Sequence, residues 1–153
     1  MSPEIYTPFY EAICNVFAMM LDLSDIAQRP AEEFCCEDAM TVSVGVRGDL
    51  EGEVRYRFPT ATSLNMVSIM SGMELETVDF FVTSAISEMA NIISGNVVTL
   101  LAERDLYCDI QPPAIVDTAP QGFFYLRSER CLDTPAGVVA LEIRLNPSDN
   151  VFI

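Results

Sequence analysis

The sequence predicts an α+β fold, with helices packed on a mostly antiparallel sheet, in a single domain spanning residues 1–153. Three observations predict it. Residues 3–21 and 79–104 repeat apolar side chains every three or four positions, the period of a helix with one buried face. Residues 40–46 and 53–58 alternate apolar and polar side chains, the period of a half-buried strand. The order of segments is helix, strands, two helices, strands, which layers helices on a sheet instead of alternating βαβ units.

The first helix has Ser2 to cap it and Pro3 at its first turn, where the missing N–H costs nothing. Ile5, Phe9, Ile13, Val16, Phe17 and Met20 form its apolar stripe. Residues 28–33, around Pro30, read as a turn. Met40, Val42, Val44 and Val46 then share one strand face, with Thr41, Ser43 and Gly45 on the other. Gly48-Asp49-Leu50-Glu51-Gly52 is turn chemistry, so residues 40–58 form a hairpin stopped by Pro59. A helix opening at Thr60 or Thr62 carries Leu64, Met66, Val67 and Met70 and ends at Gly72. The long helix opens near Thr77 or Asp79 and closes near Arg104. Tyr107 to Val116 reads as extended, because Pro112-Pro113 forbids a helix. Phe123–Arg127 and Val138–Leu145 read as strands, joined through the turn residues 133–137.

Composition narrows the function classes. Half the chain is apolar, which suits one core. No apolar run approaches the roughly 20 residues of a membrane span, and the acidic N-terminus lacks the basic region of a secretory signal. The net charge is −15 and all eight cations are arginine. A surface so acidic is poorly suited to nucleic acid or anionic membrane, both of which are bound by cations. Five cysteines, odd in number and without a CxxC pair, read as reduced thiols in a cytoplasm. The chain has no histidine, which removes Ser-His-Asp and Cys-His catalysis and the commonest transition-metal ligand. Any chemistry must use carboxylates, amides, hydroxyls and backbone, or groups borrowed from a partner.

The long helix holds the distinctive pattern. Ala85, Ile86, Met89, Ile92, Ile93, Val97 and Leu100 form its predicted core stripe. Opposite them, within about 40° on a helical wheel, lie Ser84, Glu88, Asn91, Gly95 and Ala102, flanked by Ser87 and Ser94. Exposed helix faces usually carry long charged side chains. This one is made of small residues from which a single carboxylate, Glu88, and a single carboxamide, Asn91, project side by side. Gly95 costs the helix about 1 kcal/mol against alanine. Such a face is a flat platform for another protein, a seat for a loop of the same chain, or neutral drift.

The stretch Ser84-Ala85-Ile86-Ser87-Glu88-Met89-Ala90-Asn91, followed by Ile92-Ile93-Ser94-Gly95-Asn96, resembles the Asp/Ser-x-x-x-Glu-x-x-Asn signature of the CheX/CheC/FliY family of chemotaxis phosphatases. The Gly48–Phe58 hairpin, the helix after Pro59 and the Ile110–Val116 segment are similar to the family's pattern too, so the resemblance spans most of the chain. CheC-like members can carry two such sites. Here the first helix offers Glu11 and Asn15, four apart instead of three, with Cys14 where the second amide would stand. The pattern is therefore a single site and more like CheX, which implies a homodimer.

The resemblance implies hydrolysis of the phosphoaspartate of a CheY-like receiver domain. The receiver would supply the acyl phosphate, a bound Mg²⁺ and a lysine, so this chain needs no cofactor of its own. Asn91 would orient a water for in-line attack and Glu88 would pair with the receiver's lysine. Ser84, Ser87 and Gly95 would line the contact with the partner. The receiver's pocket is acidic, so encounter with a chain of net charge −15 is expected to hold steady or improve as salt rises. The competing reading is a CheX-like module that docks on a receiver, or a structural subunit of a chemotaxis or flagellar assembly, without hydrolysing anything.

Overall fold

The computed structural model describes residues 2–30, 38–119 and 122–148, with backbone alone for residues 2–4. The Ser2 and Pro3 capping expectation, residues 31–33 of the expected turn, Cys35 and Cys36 lie outside what it describes. Helix α1 runs Ser2–Leu21, followed by β1 (Ala27–Pro30), β2 (Ala39–Gly48), β3 (Leu50–Pro59), α2 (Thr60–Ser71), α3 (Phe80–Ala102), β4 (Cys108–Ile110), β5 (Ala114–Val116), β6 (Leu126–Thr134) and β7 (Gly137–Pro147). The strands form one seven-stranded sheet ordered β1-β6-β7-β3-β2-β4, with β5 also on β2. Every pairing is antiparallel.

The alternation of β2 and β3 determines which face is covered. Val42, Val44, Val46, Val54, Tyr56 and Phe58 point into the core, where they meet Phe9, Ile13 and Phe17 of α1, Met66 and Val67 of α2, and Ile86, Met89 and Ile93 of α3. On the opposite face Glu142 stands across from Arg55, and Arg144 from Glu53. On this face, which no helix covers, Arg55 is ion-paired with Glu53, and Arg144 with Glu142 and Glu129.

Three sequence expectations change at the sheet. Residues 27–30 are an edge strand paired with β6, not a turn; an edge position tolerates Pro30 because its missing N–H is not asked to join a second ladder. Strand β3 begins at Leu50, inside the expected turn, and Leu50 is fully buried. Beyond Val46↔Gly52 the two strands part: Gly48 pairs with Cys108 of β4 and Leu50 with Pro147 of β7. A Cβ at Gly52 (φ 153°) would fall against the Arg144 carbonyl, which is why glycine stands there. Strand β6 covers Leu126–Thr134 instead of residues 123–127. Its inward positions include Ser128 and Arg130, which hide the alternation, and its partner β7 supplies a ladder from Leu126↔Leu145 to Thr134↔Gly137.

The helix ends follow local chemistry. The Asp79 side chain accepts a hydrogen bond from Val82 N at 3.1 Å and caps α3. Gly72, left-handed at φ 72°, closes α2. Against the sequence expectation, α3 is by length and composition long and apolar enough to cross a membrane, because its few polar residues are scattered among apolar ones. In the fold it is a core helix: Val82, Ile86, Met89, Ala90, Ile93, Ser94, Val97 and Leu101 are buried.

Candidate functional site

Helix α3 presents the face that the sequence singles out. Ser84 and Glu88 are exposed, and Ser87, Asn91 and Gly95 are half-buried. Glu88 and Asn91 stand three residues apart, and the Asn91 Nδ2 donates to Glu88 Oε1 at 3.5 Å. That contact is long for a hydrogen bond, so it aligns the two groups without consuming them. The amide keeps its carbonyl and a second N–H for other partners. A Cβ built on Gly95 meets nothing within 4 Å. The glycine is therefore not required by any neighbour in this chain, and the surface beside Asn91 is left low.

The buried side of α3 holds this face in place, and it differs from the expected stripe. Ala85, Ile92 and Leu100 are only partly buried, while Val82, Ala90, Ser94 and Leu101 join the core. The stripe is thus rotated by about 60° on the wheel. Ser94, expected to flank the exposed face, is buried, its hydroxyl 2.9 Å from that of Tyr56 on β3. The reason is polar satisfaction: a fully buried tyrosine needs a partner, and a serine one turn along the helix provides it. Sequence periodicity cannot reveal this pair, since it joins positions 38 residues apart. At the neighbouring helix, Asn15 Nδ2 donates to Asn96 Oδ1 at 3.3 Å, tying α1 to α3.

A second feature beside the motif joins α3 to a segment distant in sequence. An open groove of about 380 Å³ is lined by Phe80, Thr83, Ser84, Ser87, Glu88, Pro113 and Ile115. Pro113 and Ile115 come from the extended segment at the edge of β2, so only the tertiary fold places them beside α3. Phe80 was detectable in principle, one helical turn before Ser84 on the same stripe. Among the described residues no group of three or more His, Cys, Asp and Glu side chains is arranged to hold a metal. Cys108 and Cys131 are buried and Cys14 is partly buried, none of the three in a disulfide.

Glu88 and Asn91 thus project side by side from a face of small residues on α3, next to an open groove. The family model described as chemotaxis phosphatase CheX matches residues 40–131. That stretch is more than half of the chain, and this protein belongs to the CheX chemotaxis phosphatase family. The CheY-P phosphatase CheX of Thermotoga maritima is 34% identical over 79 residues, covering 51% of this chain and 51% of that protein, so the match spans about half the relative's length. Solved structures agree on the fold. The chemotaxis protein CheX of Vibrio vulnificus superposes with a TM-score of 0.79 at 19% identity, covering 94% of this chain and 97% of the other. CheX in a CheX–CheY–BeF₃–Mg²⁺ complex from Borrelia burgdorferi superposes at 0.70 and 21% identity, covering 92% and 97%. FliY of Thermotoga maritima superposes at 0.68 and 17%, covering 92% and 86%.

Proposed function

We propose that this protein accelerates hydrolysis of the phosphoaspartate of a CheY-like receiver domain. The observation that carries the reading is the side-by-side projection of Glu88 and Asn91 from the low face of α3, in a chain of the CheX family. A relative bears the name CheY-P phosphatase, and a fold neighbour was solved bound to CheY with BeF₃ and Mg²⁺.

The chemistry follows from what each group can do. An acyl phosphate needs little covalent help; it needs an in-line water and a stabilised phosphoryl group. Asn91 inserts beside the phosphoryl group, and its amide both accepts from and donates to water without titrating. Glu88 takes the receiver's lysine, a charge-assisted contact that fixes register as water is excluded. Ser84, Ser87 and Gly95 let the receiver's backbone approach. The receiver holds the Mg²⁺. The same reading places the protein in the cytoplasm and makes it a homodimer.

The test is phosphate release from a purified, phosphorylated receiver with Mg²⁺. Wild type should accelerate it. Asn91→Ala should return the rate to within a few-fold of the receiver alone while still binding, and Glu88→Ala should weaken both. Binding without acceleration by wild type would replace the phosphatase reading with that of a docking module.

A further inference from the structure

Resting on the receiver-phosphatase reading, we infer that the groove of Phe80, Pro113 and Ile115 is an apolar anchor. It seats a hydrophobic side chain that the receiver presents next to its phosphoaspartate pocket, and so sets affinity for the receiver.

Phe80 is 86% exposed and Ile115 is 53% exposed. A single exposed apolar residue means little, but these two line one groove with Pro113, and the same groove is bounded by Ser84, Ser87 and Glu88. The groove is therefore continuous with the motif. Along α3, Phe80, Ser84, Glu88, Asn91 and Gly95 are spaced four, four, three and four, which puts all five within an arc of about 80°. A partner seated on Asn91 and Glu88 covers Phe80 as well.

Charge decides what kind of contact the groove supplies. This chain carries −15, and a receiver's phosphorylated pocket is anionic. Long-range attraction between them is absent, so affinity has to come from short-range contact. Glu88 is the groove's one ionisable side chain among its lining residues, and the reading assigns it to the receiver's lysine. What remains is apolar surface. The backbone that carries Phe80 is fixed by the Asp79 cap, whose side chain accepts from Val82 N. An aromatic anchor on a fixed helix end gives up little entropy on binding.

Two readouts separate this inference from the reading beneath it. The first is binding of a beryllofluoride-loaded receiver by wild type, Phe80→Ala, Ile115→Ala and Phe80→Leu. The second is the KM and kcat of phosphate release for the same proteins. Phe80→Ala should weaken binding and raise KM at least 10-fold, with kcat within twofold of wild type. Ile115→Ala should do the same to a smaller extent, and Phe80→Leu should recover most of the loss. Unchanged binding and KM in Phe80→Ala overturns the anchor, even if wild type is an active phosphatase. Wild type that binds but does not hydrolyse overturns the phosphatase reading alone, and a binding loss in Phe80→Ala still supports the anchor. Wild type that binds no receiver overturns both. Sedimentation of wild type and Phe80→Ala covers the remaining occupant: a change in oligomeric state would assign the groove to a second copy and overturn the proposal.

Discussion

At the scale of single residues, the site face is made as much by what is missing as by Glu88 and Asn91. A Cβ at Gly95 would meet no atom of this chain, so the intramolecular cost of adding one is nil and the helix gains propensity. Gly95→Ala should raise stability by about 0.5–1 kcal/mol, measurable by urea denaturation. Gly95→Leu should be close to neutral for folding yet cut receiver-dependent phosphate release at least 10-fold, because a branched side chain would stand between Asn91 and the receiver. A Gly95→Leu protein with wild-type turnover would show that the low face is incidental. Glu88 and Asn91 were legible at this scale because three residues along a helix is a local distance. Ser94 was not, because its burial depends on Tyr56 in another element.

At the scale of elements, α3 is positioned by the Asp79 cap, the Tyr56–Ser94 hydroxyl pair, its packing on α1 with the Asn15–Asn96 hydrogen bond, and the strands beneath it. The β2–β3 hairpin forms that floor, and Leu50 is its least expected member. Its place among turn residues in the sequence marks it as dispensable, whereas in the fold it is fully buried. Cys108 Sγ sits 3.9 Å from its carbonyl. Leu50→Ala should destabilise the protein by about 2–5 kcal/mol, the range for a cavity opened in a well-packed core. A loss below 1 kcal/mol would restore the turn reading of residues 48–52. The helices and the hairpin were legible because period and turn chemistry are local. Strand β6 was not, since its charged outward positions and its inward Ser128 and Arg130 break the pattern that β7 completes.

At the scale of the whole molecule, two pH and salt responses follow. Burial pushes the Tyr56 phenol well above its ordinary value near 10, only partly opposed by the hydrogen bond with Ser94. Burial likewise raises Tyr6, against the pull of Arg130. Above pH 10 the unfolded chain has lost these protons and the native state still holds them. The unfolded state then binds fewer protons, so stability is whole below about pH 10 and falls as pH rises beyond it. Denaturant titrations from pH 8 to 11.5 should show that fall, and Tyr56→Phe should make it shallower by up to about 1.4 kcal/mol per pH unit. An unchanged slope in Tyr56→Phe would mean that the phenol is not buried in solution. The net charge of −15 bears on encounter: at sub-saturating receiver, the rate should hold or rise between about 20 and 150 mM salt as repulsion is screened. A steep fall over that range would show that attraction between opposite charges drives the complex.

By itself the sequence determined the type of most elements, the α+β class, the opening of α3 near Thr77 or Asp79 and the pairing of Glu88 with Asn91 on one face. All of these rest on interactions between residues a few positions apart: helical period, strand alternation, turn residues and caps. Only the tertiary structure decided that residues 27–30 are an edge strand, that Leu50 is core, that α3 is rotated to bury Ser94 on Tyr56, and that Pro113 and Ile115 meet Phe80 beside the motif. Each of these joins positions tens of residues apart. Ladder partners and buried hydroxyls are chosen by where the rest of the chain comes to lie, and no local pattern encodes that choice.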